Sequence, residues 1–254
     1  MADIKGKSVL VTRPEPQAQH LLSELGRLGA NAMALPAIAI KEVALSPADK
    51  QKIINLDSYA AIFVVSTNAA NLGMQWIDRY WPQLPAHTTW YAVGGATAKA
   101  LAVFGITAQV SDSGVDSEAL LALPSLQHLD AQRMLILKGI GGREFLAQTL
   151  QKRGAKVESL SLYRREKVKY GQTEILALLG EHRPDIILVT SVAILESLDE
   201  LLSPCYENLK SVNLVVASDR IAQTAERLGY RQLVMATGAS DEAIIAALNE
   251  SGNL

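Results

Sequence analysis

The sequence predicts an α/β protein built of two similar parallel-sheet domains, and three observations point to it. Short β-branched runs alternate with amphipathic helical patterns, the second half of the chain repeats the first, and an extended segment stands at the same point of each repeat.

The strand candidates are Val9-Leu10-Val11, Ile62-Phe63-Val64-Val65, Leu135-Ile136-Leu137, Ile186-Ile187-Leu188-Val189 and Leu214-Val215-Val216. Continuous apolar runs this short suit strands buried on both faces, as in parallel sheets. Between them lie helical stripes such as Ala18, Leu21, Leu22, Leu25 and Leu28, whose spacing lays one apolar face against a sheet. The resulting βαβα grammar implies a parallel sheet covered on both sides.

Much of the repeat has a step of 124, the separation of Gly105 from Gly229 and of Gly114 from Gly238. At that step Val64-Val65-Ser66-Thr67 falls on Leu188-Val189-Thr190-Ser191. Upstream, Gly29-Ala30 matches Gly154-Ala155 at 125. Two units of about 120 residues, with about five strands each, favour paired flavodoxin-like (Rossmann-like) domains over one eightfold barrel, which needs a finer period. The extended segments Leu35–Ile40 and Leu160–Arg165 follow the second strand of each unit.

In a chain of 254 residues, 49% hydrophobic and 20% charged, a large core is expected. A net charge of −2 supplies no global positive field, which argues against nucleic-acid binding. Cys205 is the one cysteine, and His20, His87, His128 and His182 lack ligand spacing, so we expect a reducing cytoplasm and no structural metal. The run at Val9–Val11 is too short for a signal peptide, and no stretch approaches the ~20 apolar residues of a membrane span.

Ligands of open α/β sheets bind beyond the carboxyl ends of the strands, near unsatisfied helix N–H groups. The residues there are Thr12-Arg13, Ser66-Thr67-Asn68, Gly94-Gly95-Ala96-Thr97, Lys138-Gly139-Ile140-Gly141-Gly142-Arg143, Thr190-Ser191 and Ser218-Asp219-Arg220. Small, hydroxylic and basic groups suit an acidic ligand, although each Ser, Thr or Asn also fits a simple N-cap. The glycine loop lacks the GxGxxG pattern because Glu144 stands at the third glycine position, and Arg143 with Glu144 also reads as a solvated first helical turn. Tyr163 can donate a proton to a leaving hydroxyl or simply pack, and Arg164 and Arg165 read as surface charges. With no GxSxG elbow, P-loop, Cys/His pair or carboxylate cluster, an enzyme of this sequence would act mainly by positioning. The residues also leave open a non-catalytic small-molecule binding or sensor module, and a nucleotide-dependent transferase using the loop at Gly139–Gly142.

The order and spacing of Val9–Pro14, Leu35–Ile38, Phe63–Asn68, Ala92–Ala98, Ser117–Leu120, Lys138–Glu144 and Leu162–Arg165 resemble the uroporphyrinogen-III synthase family over essentially the whole chain. The resemblance implies two Rossmann-like domains, 1–36 with 166–254 and 39–163, joined by a two-stranded ladder near 35–40 and 160–166, with a cleft between them and hinge closure on substrate. It further implies a cytoplasmic, cofactor-free lyase of porphyrin and heme biosynthesis. That enzyme cyclises hydroxymethylbilane to uroporphyrinogen III, inverting the last pyrrole through azafulvene and spiro intermediates. By motif, Tyr163 becomes the catalytic candidate. Arg13, Ser66, Thr67, Gly94, Thr97, Lys138, Gly139, Thr190, Ser191 and Ser218 become substrate-binding candidates. The expected partner is the small-molecule substrate alone, taken by a monomer in transient handover from hydroxymethylbilane synthase, with no nucleic acid and no membrane. Two positions depart from the family pattern. Ile140 stands where asparagine is often seen, and Ile221 where a threonine contact is expected, leaving Ser218 or Arg220 to substitute.

Overall fold

The computed structural model describes residues 4–15, 17–111, 114, 116–142, 144–180 and 183–250; Arg143 and His182 of the sequence reading lie outside the described residues. It divides into unit 1, Met1–Ala39 with Glu166–Leu254, and unit 2, Ile40–Arg165. Unit 1 opens with β1 (Ser8–Val11), α1 (Ala18–Arg27) and β2 (Asn31–Ala34), and β3 (Ile38–Glu42) leads into unit 2. There follow α2 (Pro47–Ile54), β4 (Ala61–Val64), α3 (Thr67–Ile77), β5 (Thr89–Ala92), α4 (Gly95–Ala102), α5 (Ser117–Leu121), β6 (Arg133–Gly139) and α6 (Phe145–Lys152). The long β7 (Lys156–Lys167) returns the chain to unit 1, where α7 (Gln172–Leu179), β8 (Ile186–Val189), α8 (Val192–Leu202), β9 (Asn213–Val216), α9 (Asp219–Arg227), β10 (Gln232–Met235) and α10 (Asp241–Glu250) complete it.

Each sheet has five strands. In unit 1 the order is β10-β9-β8-β1-β2, parallel throughout. In unit 2 it is β3-β7-β6-β4-β5, with β7, β6, β4 and β5 parallel. Numbered within unit 1, β2-β1-β8-β9-β10 is the order 2-1-3-4-5 of flavodoxin-like sheets. Unit 2 repeats the spatial order with the chain entering at its third strand. Its counterpart of β10 is reduced to one bridge, Gln109 beside Tyr91.

Alternation along the strands explains the two-sided burial. In β4, Ile62 and Val64 enter one apolar cluster and Ala61 and Phe63 the other. In β1, Leu10 faces one cluster while Val9 and Val11 face the opposite one. Helices then cover both faces, as βαβ connections require. The stripe of α1 buries Ala18, Leu21 and Leu25, but its last expected member, Leu28, is the C-cap and is exposed because the helix has ended at Arg27.

The structure corrects the register of the repeat. From Ala61 to Ile186, Ser66 to Ser191 and Thr67 to Val192 the step is 125, and it becomes 124 only from Thr89 to Asn213 onward. Ser66 therefore corresponds to Ser191 rather than to Thr190. The single-residue difference falls in the segments between α3 and β5 and between α8 and β9.

Candidate active site

In a 2-1-3-4-5 sheet the connections leave the central strand pair in opposite directions, opening a crevice at their carboxyl ends. In unit 2 that pair is β6 and β4, which end at Gly139 and Val64. Ser66 begins α3 there, its Oγ accepting the Ala69 N–H at 3.1 Å as a helix cap. The same Oγ lies 2.9 Å from the Tyr163 phenol oxygen.

Tyr163 reaches this position through a register break. Lys138 pairs with Ser161 but Gly139 pairs with Tyr163, so one extra residue bulges from β7. A bulge re-aims a side chain that regular alternation would send elsewhere. The Tyr163 ring is 1% exposed and joins the cluster holding Leu160 and Leu162. Gly139 makes room for it, since a Cβ there would stand 2.7 Å from the ring carbons Cε2 and Cζ. The glycine thus serves Tyr163 by lacking a side chain. Two residues on, Arg165 donates to the phenol oxygen at 3.2 Å, with its guanidinium 5.4 Å from the ring centroid. Arg165 is exposed, as expected of a surface charge, and the two-residue spacing of a strand is the signal that it shares a side with Tyr163.

Donor counting shows what this cluster can do. The phenol oxygen accepts from Arg165, the Ser66 oxygen accepts from Ala69, and one hydroxyl proton joins the two oxygens. The second hydroxyl proton is left over for a ligand. When Ser66 donates to Tyr163, that proton is the phenol's own.

Beside the phenol lies a cavity of about 150 Å³, lined by Val65, Ser117, Lys138, Glu144, Tyr163 and Arg165 among others. Gly141 and Gly142, at φ +76° and +85°, turn the chain from β6 towards α6 in a backbone region that favours glycine. Glu144 is more than a helical-turn charge, for its carboxylate accepts from Lys138 Nζ at 2.6 Å. Ile140 and Phe145 add exposed apolar surface at the two ends of the loop.

The remaining candidates divide. Thr67 opens α3 and is half-buried, and Gly94 is the N-cap of α4. Thr97 is buried within α4 and donates to the Val93 carbonyl at 3.1 Å, so its hydroxyl turns inward. In unit 1 the corresponding pair is β1 and β8, and its own bonds hold the crevice. Thr12 is fully buried and donates to the Leu188 carbonyl at 2.6 Å. Arg13, 6% exposed, pairs with Asp241 at the start of α10 and donates to the Ala239 carbonyl. Its guanidinium thus ties the end of β1 to α10. Ser191 caps α8 through the Ile194 N–H at 3.2 Å, with half-buried Thr190 beside it. Ser218 is exposed at the start of α9 and makes no capping bond. Ile221 is buried core, whereas Arg220 is exposed.

Among the described residues no group of three His, Cys, Asp or Glu is placed to hold a metal, and no helix is long and apolar enough to cross a membrane. Burial pushes the Cys205 thiol pKa up, away from a reactive thiolate.

Comparison with known proteins adds an independent line. The family profile described as "Uroporphyrinogen-III synthase HemD" matches residues 19–246. The uroporphyrinogen-III synthase of Escherichia coli (strain K12) is 33% identical over 247 residues, 95% of this chain and 99% of that protein. The Salmonella typhimurium enzyme of the same name is 34% identical over the same shares. In fold the chain is similar to a mutant uroporphyrinogen III synthase from the extremely thermophilic bacterium Thermus thermophilus, with TM-score 0.63 and 19% identity over 97% of this chain and 100% of that one. It is also similar to the Helicobacter pylori 26695 synthetase, with TM-score 0.58 and 16% identity over 94% and 97%.

Proposed function

The chain belongs to the uroporphyrinogen-III synthase family, and from that premise we propose that the Ser66, Tyr163 and Arg165 cluster carries its chemistry. The activity is the family's: a lyase of porphyrin and heme biosynthesis closes hydroxymethylbilane, with loss of water and inversion of the last pyrrole, to uroporphyrinogen III.

The observation that carries the site assignment is the hydrogen-bonded Ser66–Tyr163–Arg165 cluster beside a cavity. As the pyrrole nitrogen pushes its electron pair towards the terminal carbon, the C–O bond breaks and a protonated azafulvene forms, its charge matched by the phenolate that Tyr163 becomes. The departing oxygen takes the phenol proton of Tyr163 and leaves as water. Arg165, already bonded to that oxygen, faces the resulting phenolate. The later carbon–carbon steps through the spiro intermediate need no nucleophile from the protein, only a held conformer. They change no net oxidation state, so the reaction calls for no redox cofactor.

A cavity of about 150 Å³ is smaller than the ~300–1,000 Å³ that encloses a drug-sized ligand, so it takes one ring or acid arm rather than the whole tetrapyrrole. We assign carboxylate contacts in unit 2 to Thr67, Lys138 and the backbone at Gly94 and Gly139, with Ser66 orienting the phenol and Thr97 held by its own bonds to Gly94 and Val93. Thr190, Ser191 and Ser218 are the donors of unit 1, and Arg13 acts through α10. Each unit is taken as a separate α/β domain of a cytoplasmic monomer that accepts its substrate by transient handover. Most of the exposed large apolar side chains lie apart on different elements, which supports the monomer.

The test supplies purified protein with freshly generated hydroxymethylbilane, oxidises the products and separates the type I and type III uroporphyrins. Predominant type III is expected. Type I alone, matching the enzyme-free control, from folded protein overturns the reading.

A further inference from the structure

The ion pair between Lys138 and Glu144 is unequal. The lysine side chain is 13% exposed and the glutamate 55%, at 2.6 Å. A cation so nearly withdrawn from water needs a charged or strongly polar partner, whereas a half-exposed carboxylate loses little by turning back to solvent. Glu144 also occupies the N-cap position of α6 without bonding the helix N–H groups, its carboxylate being directed to Lys138 instead. Both side chains line the cavity beside Tyr163.

We propose that Lys138 is the anchor of a subsite for one carboxylate arm of the substrate, and that Glu144 is its internal placeholder. Resting on the functional reading above, this adds how the arm enters: its carboxylate exchanges with that of Glu144, charge for charge, and no bond is made or broken. The placeholder keeps Lys138 paired and oriented while the site is empty. It also lowers apparent affinity, because only the fraction of molecules with Glu144 turned away can accept the arm. For a pair exposed on one side that reduction is about fivefold.

The experiment compares wild type, Glu144→Gln, Lys138→Met and the double variant, each checked for an unchanged thermal midpoint. With hydroxymethylbilane, Glu144→Gln is expected to lower KM about fivefold with kcat within about twofold. Lys138→Met is expected to raise KM, and in its background Glu144→Gln has no further effect. A second readout is independent of turnover: the Kd of pyrrole-3-propionate, followed by NMR titration, tightens in Glu144→Gln and weakens in Lys138→Met. A raised or unchanged KM and Kd in Glu144→Gln overturns the placeholder and makes the pair structural. Wild type that forms no type III isomer, while the propionate titration still follows the expected order, overturns the functional reading and leaves the subsite standing.

Discussion

Gly139→Ala isolates the geometry on which the proposed chemistry depends. The φ of Gly139 is not among the positive values, so alanine meets no backbone strain and the perturbation is one methyl group. That methyl would lie 2.7 Å from Cε2 and Cζ of Tyr163 and 3.2 Å from Cδ2. Carbon atoms rest at about 3.5–4.0 Å, so the ring must retreat by roughly 0.8 Å within a packed cluster. The hydroxyl moves with it, away from Ser66 at 2.9 Å and Arg165 at 3.2 Å. Overpacking a core costs about 1–3 kcal/mol and a lost hydrogen bond ~1 kcal/mol. At about 2–4 °C per kcal/mol, a thermal midpoint lower by about 5–15 °C follows. Misplacing a catalytic group by ~1 Å lowers the rate by about 10²-fold. The assay is type III formation alongside thermal unfolding, repeated in a Tyr163→Phe background, which alone should lose about 10²-fold. There the methyl should still destabilise but cost little further rate, because the hydroxyl it displaces is gone. A Gly139→Ala enzyme with wild-type rate and midpoint, or a full additional rate loss in the phenylalanine background, would refute the reasoning.

Arg165→Gln should reduce kcat about tenfold with little change in midpoint, since Arg165 is exposed to solvent and acts on the phenol; single-turnover kinetics will show it. Arg13→Met should lower the thermal midpoint strongly, by about 3 kcal/mol of stability, because Asp241 is left largely buried without its cation; the proposed positioning role fails if KM rises while the midpoint stays. His20 bonds Asp241 at 2.7 Å, and that hydrogen bond raises its pKa above the ordinary value near 6.5. Its stabilising contribution is therefore complete below about pH 6.5 and disappears as pH rises through the raised folded value. A wild-type minus His20→Gln difference in midpoint, scanned against pH, should be positive in acid and vanish in alkali.

The sequence by itself determined the elements and their duplication. Buried strands such as Ile62–Val65 and Ile186–Val189 declare themselves by local hydrophobicity, and capped helices by a Ser at the right offset, because both depend on neighbours a few residues away. The same local view placed Ser66, Lys138 and Tyr163 at strand ends or in an extended segment, but it could not pair them. Ser66 and Tyr163 are 97 residues apart and Arg13 and Asp241 are 228 apart, and only the sheet order brings their partners together. The bulge at Gly139, which turns Tyr163 towards Ser66, is a mismatch between β6 and β7 and is a property of neither strand alone. Only the tertiary structure shows Arg13 tied to Asp241 and the exposed Arg165 bonded to the phenol. A side chain's charge is written in the sequence, but which opposite group it meets depends on the register and packing of distant segments.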